Sequence, residues 1–272
     1  MNARKSIPHT DLSLFPLCLG GNVFGWSADQ DQSQKVLDAY FDVGGNFIDT
    51  AAVYSEWVTG NSGGESESII GTWMAKRKNR SEMVIATKVA KYSKRPGLSK
   101  NNIFAAVDDS LRRLQTDHID IYYAHEDDQA IPLEETLAAF DIIVKAGKVR
   151  YIAASNYTPE RLGEALAVSR ANNFASYIAV QNQYNLMERS DFEGGMSALL
   201  EEKSIASFPY YGLARGFLSG KYRKGVKVDS VRAQGVEPFF TNKGYAIVER
   251  LLEIARTHHS TPSAIALGWL RA

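Results

Sequence analysis

The 272-residue chain holds a single cysteine, Cys18. One cysteine cannot close a disulfide within the chain, nor can it build a cysteine-rich metal site. Cys18 lies in an apolar stretch and reads as a buried small residue, not a nucleophile. Net charge is also missing, because 31 Lys and Arg balance 31 Asp and Glu. Such a surface exerts no strong pull on nucleic acid or on an anionic membrane. Long apolar runs are absent: no window approaches the ~18 apolar residues of a membrane span. Residues 1–15, broken by Pro8, His9 and Asp11, lack the apolar core of a secretory leader. The glycine fingerprint G-x-G-x-x-G does not occur, and no Gly/Ser/Pro-rich stretch marks a linker. These absences leave a cytoplasmic enzyme of one domain over residues 1–272 as the expectation.

What is present is a steady alternation of short apolar runs and longer amphipathic segments. Leu14–Leu19 reads as a strand and Asp31–Val43 as a helix. The pairs continue with Asn46–Asp49 and Glu65–Lys78, Met83–Lys88 and Lys100–Leu114, then Ile119–Ala124 and Leu133–Ala146. Val149–Ala153 precedes Pro159–Asn172, Ile178–Gln181 precedes a helix around Phe192–Lys203, and Ser204–Phe208 is the last strand. Gly147 suits a left-handed helix C-terminus. Thr158–Pro159 and Thr261–Pro262 each pair an N-cap with proline at the first helical position, the second opening a final helix Pro262–Arg271. Gly220–Glu237, rich in Lys, Arg and Gly, reads as a mobile loop. The strands are apolar throughout instead of alternating, which suits parallel strands buried on both faces. Repeated βα units allow an open doubly wound sheet or a closed barrel.

Four polar residues fall at or just beyond strand ends. Asp49 closes one strand, Lys88 another, His125 follows a third, and Tyr54 lies in the loop after Asp49. In a parallel barrel all C-terminal strand ends share one face, where active sites are built. A lysine cation beside a tyrosine favours the phenolate, an aspartate holds the lysine charged, and a histidine can donate to a carbonyl oxygen. Together they could polarise a carbonyl and protonate the alkoxide formed on its reduction. Taken singly, each residue is more often a cap, a solvated cation or a core aromatic. Trp26 and Trp57, in the first two βα loops, either line an apolar substrate pocket or pack under the loops. The basic run Lys76–Arg80 complements a helix end. The adjacent His258 and His259 do not share a helix face and read as surface residues, not metal ligands.

The words around these residues carry more. Gly45-Asn-Phe-Ile-Asp-Thr-Ala with Tyr54, the stretch Leu111–Tyr123, and Gly147–Asn156 with its Ser155-Asn156 pair resemble aldo-keto reductase signatures. So do Val180–Asn185 and Pro209–Tyr222. The resemblance covers roughly Leu17 to Arg271. It implies a TIM barrel, (β/α)8, binding NADP(H) without a Rossmann domain, and acting on a small-molecule aldehyde or ketone. It implies Tyr54 as general acid, Lys88 and Asp49 as its activators, and His125 as the group orienting the carbonyl. Ser155, Asn156 and Gln181 would bind the nicotinamide carboxamide, and Tyr210 would stack on its ring. Leu213, Gly216 and Lys221 would line the pyrophosphate, with Gly21 and Asn22 also on the cofactor side. Tyr211-Gly212 stand where the family commonly has Ser-Pro, which puts the geometry of that loop in question.

Only seven strands are counted, so the eighth βα unit, which commonly carries the basic residue for the adenosine 2′-phosphate, is expected to be missing from this chain. The chain being cut short, a further tail, or a partner chain covering the gap would each account for it, and the first two are preferred. The chemistry is expected to be intact and cofactor affinity reduced. The physiological substrate, the preference for NADP over NAD and the oligomeric state are not legible. A regulatory binding protein of the same fold, like the potassium-channel β-subunits, is the alternative. A metal-dependent barrel hydrolase is disfavoured, because no His/Asp/Glu cluster gathers at the strand ends.

Overall fold

A computed structural model of the chain describes residues 4–230 and 233–271. It opens with a hairpin that the sequence reading did not anticipate. β1 (Lys5–Ser6) pairs antiparallel with β2 (Ser13–Leu14). The expected strand Leu14–Leu19 is therefore split, with β3 formed by Leu19–Gly20 alone. Pro16 interrupts it, having no N–H to give to a ladder. The Phe15 amide instead donates to the side chain of Asn46 at 2.7 Å.

From there the alternation follows the expected order: α1 (Gln30–Asp42), β4 (Phe47–Asp49), α2 (Glu65–Arg77), β5 (Val84–Val89), α3 (Lys100–Leu114) and β6 (Ile119–Ala124). Next come α4 (Leu133–Lys145), β7 (Val149–Ser155), α5 (Pro159–Asn172), β8 (Tyr177–Gln181), α6 (Gly195–Lys203) and β9 (Ala206–Ser207). Side chains fix the helix starts. Asp29 forms a capping box with Gln32 on α1, and Ser99 and Thr158 cap α3 and α5. Gly147, at φ 73°, takes the left-handed position just after α4.

One sheet holds seven strands in the order β3-β4-β5-β6-β7-β8-β9. Pairing from β3 through β7 is parallel, with Asp49 opposite Ala86 and Lys88 opposite Tyr123. A doubly wound sheet reverses its strand order at a switch point. Here each strand neighbours the next in sequence, the order of a βα barrel, which decides between the two architectures left open above. Every residue of β4, β5, β6 and β8 is buried, as the uniformly apolar runs implied.

The described chain divides into two compact units. One runs up to Val180 and adds Ser204–Ala206; the other takes Gln181–Lys203 and the chain from Ser207 onward. The second contains a 3-10 segment Ala214–Ser219, α7 (Ala233–Val236), a 3-10 turn Glu237–Phe239, α8 (Asn242–Thr257) and α9 (Pro262–Trp269). Its core gathers Phe217, Leu218, Tyr222, Val236, Val248, Leu251 and Ala266. The expected loop Gly220–Glu237 is thus irregular only at its start, because α7 occupies its end. Residues 231 and 232 of that loop lie outside the described residues. α8 is a helix beyond those expected from the sequence; Thr241 caps it, and Gly244, Val248, Leu251 and Ala255 form a buried stripe at helical spacing. No helix among the described residues is long and apolar enough to cross a membrane.

Candidate active site

Asp49 ends β4, Lys88 is the penultimate residue of β5, and His125 follows β6 directly. Pairing of adjacent parallel strands brings these ends together. Tyr54 arrives from the loop after β4, which is tied down locally. The Tyr54 amide donates to the Ala51 carbonyl at 3.1 Å. Ser55, in a left-handed conformation at φ 69°, donates its hydroxyl to the Phe24 carbonyl at 2.7 Å. Asn61 adds a bond to the Gly25 carbonyl at 2.9 Å. The loop carrying Tyr54 is therefore held against the loop carrying Trp26.

Lys88 is the centre of the cluster. It is 1% exposed, and its ammonium donates to Asp49 Oδ2 at 2.5 Å, to the Thr50 carbonyl at 2.8 Å and to Tyr54 Oη at 3.0 Å. An ammonium has three N–H donors, so all three are used. Burial alone would push the Lys88 pKa down; the carboxylate of Asp49 and the Tyr54 oxygen outweigh it and raise it. Lys88 is therefore a fixed cation at neutral pH. Its charge also faces the rings of Tyr54 and Tyr123, with Nζ 4.8 Å and 5.7 Å from their centroids. The Thr50 carbonyl is itself locked. The Thr50 amide donates to the Ala86 carbonyl at 2.8 Å, and its hydroxyl donates to Ser66, which donates to the Gly21 carbonyl.

An ammonium only donates, so the Tyr54 oxygen accepts from Lys88 and the phenol proton is directed elsewhere. The rings of Tyr54 and His125 lie edge to face at 6.1 Å. The His125 pKa is held well below 6.5, first by burial and then by the Lys88 and Lys91 cations. Its imidazole is neutral at pH 7, and it can donate one hydrogen bond without carrying charge. The His125 amide donates to the Val89 carbonyl at 2.9 Å. The next residue, Ala90, has φ 107°, an uncommon conformation for a residue with a Cβ. Such strain two residues past Lys88 fits a chain over-determined around a site.

The structure brings the two tryptophans to the same place. Trp26 and Trp57 meet edge to face at 5.7 Å, and Trp57 lies 6.4 Å from the Tyr54 ring. Trp57 is 52% exposed, so this aromatic pair reaches solvent beside Tyr54. Ser155 ends β7, buried, and the exposed Asn156 follows at φ 57°. The Asn156 amide donates to the His125 carbonyl at 2.8 Å and to Ser155 Oγ at 3.1 Å. Asn156 thus braces the His125 turn, a duty not foreseen in the sequence. Gly21 is buried; its amide donates to the Asp49 carbonyl at 2.7 Å, and a Cβ there would fall 2.7 Å from Ser66 Oγ. Its smallness serves the packing under Asp49. Asn22 beside it is half-buried. Cys18 is half-buried and not fully buried as expected; burial of its thiol and the nearby Asp49 carboxylate raise its pKa well above the ordinary value, which disfavours the reactive thiolate.

The remaining expected residues belong to the second unit. Gln181 is buried at the end of β8. The Tyr210 amide donates to the Asn182 carbonyl at 3.1 Å, and its ring meets Tyr211 edge to face at 5.1 Å. The Leu213 carbonyl accepts from the amides of Gly216 and Leu218 at 2.9 Å and 3.2 Å. Ala214, Arg215 and Gly216 are successively left-handed, with φ of 47°, 57° and 99°. Lys221 Cε lies 3.9 Å from where a Cβ on Gly216 would sit. The Tyr211-Gly212 departure has a local cause. Tyr211 is itself left-handed, and a Cβ on Gly212 would fall 2.6 Å from Leu270 Cδ1 of the chain after α9. That methyl ends a flexible side chain, so the constraint rests chiefly on the left-handed Tyr211. His258 and His259 are exposed, and no group of three or more His, Cys, Asp or Glu among the described residues could hold a metal ion.

A family model for the aldo/keto reductase family matches residues 16–272. The chain belongs to the aldo/keto reductase family. It is 31% identical to Protein tas of Escherichia coli over 97% of this chain and 84% of that protein. It is 33% identical to the Uncharacterized oxidoreductase YrpG of Bacillus subtilis, over 97% of this chain and 81% of that protein. The Putative aryl-alcohol dehydrogenase AAD14 of Saccharomyces cerevisiae is 34% identical over 94% of this chain and 72% of its own length. The family is one of oxidoreductases, and its fold is the barrel to which the strand order points.

Proposed function

We propose that this aldo/keto reductase uses NADP(H) to reduce an aldehyde or ketone carbonyl, with Tyr54 as the general acid. The observation that carries the reading is the saturated Lys88 ammonium, bonded at once to Asp49, Thr50 and Tyr54. A cation 3.0 Å from a phenol oxygen favours the phenolate, so it makes Tyr54 a stronger acid than free tyrosine. Tyr54 gives its proton to the carbonyl oxygen as charge develops there, and Lys88 stabilises the phenolate left behind. Asp49 keeps Lys88 charged in spite of burial. Neutral His125 donates to the same carbonyl oxygen and orients it. Trp26 and Trp57 offer an apolar wall for the rest of the substrate, which favours aromatic carbonyls.

The residues present fit a dinucleotide. Ser155 and Asn156 lie at the strand end beside His125 and are assigned to the nicotinamide carboxamide. Gln181 and Tyr210, in the second unit, keep the cofactor role that the resemblance implies. The left-handed stretch around Gly216 removes a side chain next to Lys221, as close approach of a phosphate requires. Leu213, Gly216 and Lys221 are assigned to the pyrophosphate, and Gly21 and Asn22 to the cofactor side of the first loop. When bound, the reduced nicotinamide supplies the hydride.

The test is NADPH oxidation followed by absorbance over a panel of aliphatic and aromatic aldehydes and ketones. Carbonyl-dependent oxidation, fastest with aromatic aldehydes, is the expected result. No turnover with any carbonyl, from a chain that binds NADPH, would overturn the reading.

A further inference from the structure

The loop between β5 and α3, residues 90–98, takes no part in the proposed chemistry, yet its backbone is tied down from several sides. The Gly97 amide donates to the Ala90 carbonyl at 2.9 Å and closes the loop on itself. Asn102 of α3, buried, reaches back to the carbonyls of Arg95, Pro96 and Gly97 at 3.1, 3.2 and 2.6 Å. The Leu98 amide donates to Asp128 at 2.8 Å. Side chains at the tip of such a loop are fixed points for whatever they touch.

Two contacts cross from that tip to the loop carrying Tyr54. Tyr92 donates its hydroxyl to the Ser62 carbonyl at 2.9 Å, and its ring covers Gly63, where a Cβ would fall 2.6 Å from Tyr92 Cε2. Ser93 gives both its hydroxyl and its amide to the Glu56 carboxylate, the amide at 3.3 Å. Bonds to an ionised acceptor are stronger than neutral ones, and two donors from one residue set direction as well as distance. Glu56 stands between Ser55, which is bonded to the Phe24 carbonyl, and Trp57. The exposed Trp57 keeps its edge-to-face contacts with Tyr54 and Trp26. A ring at the surface has little packing to hold it, so its place depends on the backbone on either side.

We infer that Glu56 and Ser93 are a positioning pair that holds the Trp57 indole beside Tyr54 and so sets a preference for aromatic over small aliphatic carbonyls. This rests on the proposed carbonyl reduction, which it deepens. Ring–ring contacts depend on separation and angle, so an aromatic substrate gains from an indole already in place. An indole that must be ordered at each binding event weakens the complex. A small aliphatic aldehyde has no ring to meet it and is indifferent to the latch.

The test is steady-state NADPH oxidation with benzaldehyde and with propanal. Glu56→Ala should raise the KM for benzaldehyde by about 3- to 10-fold, the worth of the lost hydrogen bonds. The kcat for benzaldehyde and the KM for propanal should move by no more than about twofold. Glu56→Gln, whose amide oxygen still accepts from Ser93, should recover most of the loss. In a Trp57→Ala background, Glu56→Ala should have no further effect on benzaldehyde, because the pair acts through the indole. Acrylamide quenching of tryptophan fluorescence gives a reading independent of turnover. Glu56→Ala should increase the quenching, and the increase should vanish in a Trp57→Phe background. Equal losses for the two aldehydes, an undiminished effect without Trp57, or unchanged quenching overturns the inference while leaving carbonyl reduction intact. Quenching that responds as stated, with no carbonyl turned over even by wild type, keeps the pair as the support of Trp57 and sinks the reduction reading, with the substrate preference attached to it.

Discussion

Lys88 is buried with a charge, and three hydrogen bonds make that tolerable. Removing the cation would leave Asp49 buried without its partner, a change that costs about 3–5 kcal/mol for pairs of this kind. His125 shows the opposite response to burial, since it stays neutral. The unfolded chain binds a proton on this imidazole near 6.5, while the native site resists it. Stability from this group is therefore present above that value and is lost as pH falls below it toward the native pKa. The wild-type melting temperature should drop between about pH 7 and about pH 5 more steeply than that of His125→Gln. Parallel slopes in the two proteins would remove this explanation. At this scale the sequence was informative about Asp49, Tyr54, Lys88 and His125, because strand ends and the surrounding words mark them. It was silent about Tyr123, whose ring faces Lys88 only because the sheet register sets those two residues opposite.

Elements pack here through glycines whose duties differ in ways the sequence does not mark. Gly71 lies within α2, and a Cβ there would fall 2.3 Å from the Arg113 carbonyl oxygen on α3. Gly163 lies within α5, and an added Cβ would meet nothing within 4 Å. Glycine inside a helix costs roughly 0.5–1 kcal/mol relative to alanine. Gly163→Ala should therefore stabilise the protein by about that much. Gly71→Ala should destabilise it by about 1–3 kcal/mol, because backbone must move to admit the methyl. Urea denaturation of the two variants checks both signs, and equal effects would contradict the packing argument. The helices with a capping residue and a periodic stripe were legible. α8 carries the same signals, whereas β1 and β2, two residues each, offer too little pattern to read.

The first compact unit is anchored at the N-terminal ends of β5, β6 and β7 by Asp120. This buried carboxylate accepts from Arg80 at 2.8 Å, from Arg150 at 2.7 Å and from the Ile85 amide at 2.9 Å. Arg150 reaches on to Asp11 after the first turn, so one residue links β5, β6, β7 and the N-terminal hairpin. Asp120→Ala should lower stability by about 3–5 kcal/mol and the melting temperature by roughly 10 °C, with catalytic constants little changed in the folded protein. A neutral effect on melting would contradict this role. The choice between a barrel and a doubly wound sheet was not legible from the βα rhythm alone. It is made by strand order, which sequence patterning does not encode locally.

The central claim is that Lys88 prepares Tyr54 to protonate a carbonyl. Comparing Tyr54→Phe with wild type in steady-state NADPH oxidation, alongside NADPH titration by fluorescence quenching, tests it most directly. The phenylalanine keeps the ring against Trp57 and His125 and removes only the acid. The account predicts a fall in kcat of about 10²- to 10⁴-fold, with NADPH affinity kept within about twofold. Turnover that survives the substitution would contradict it.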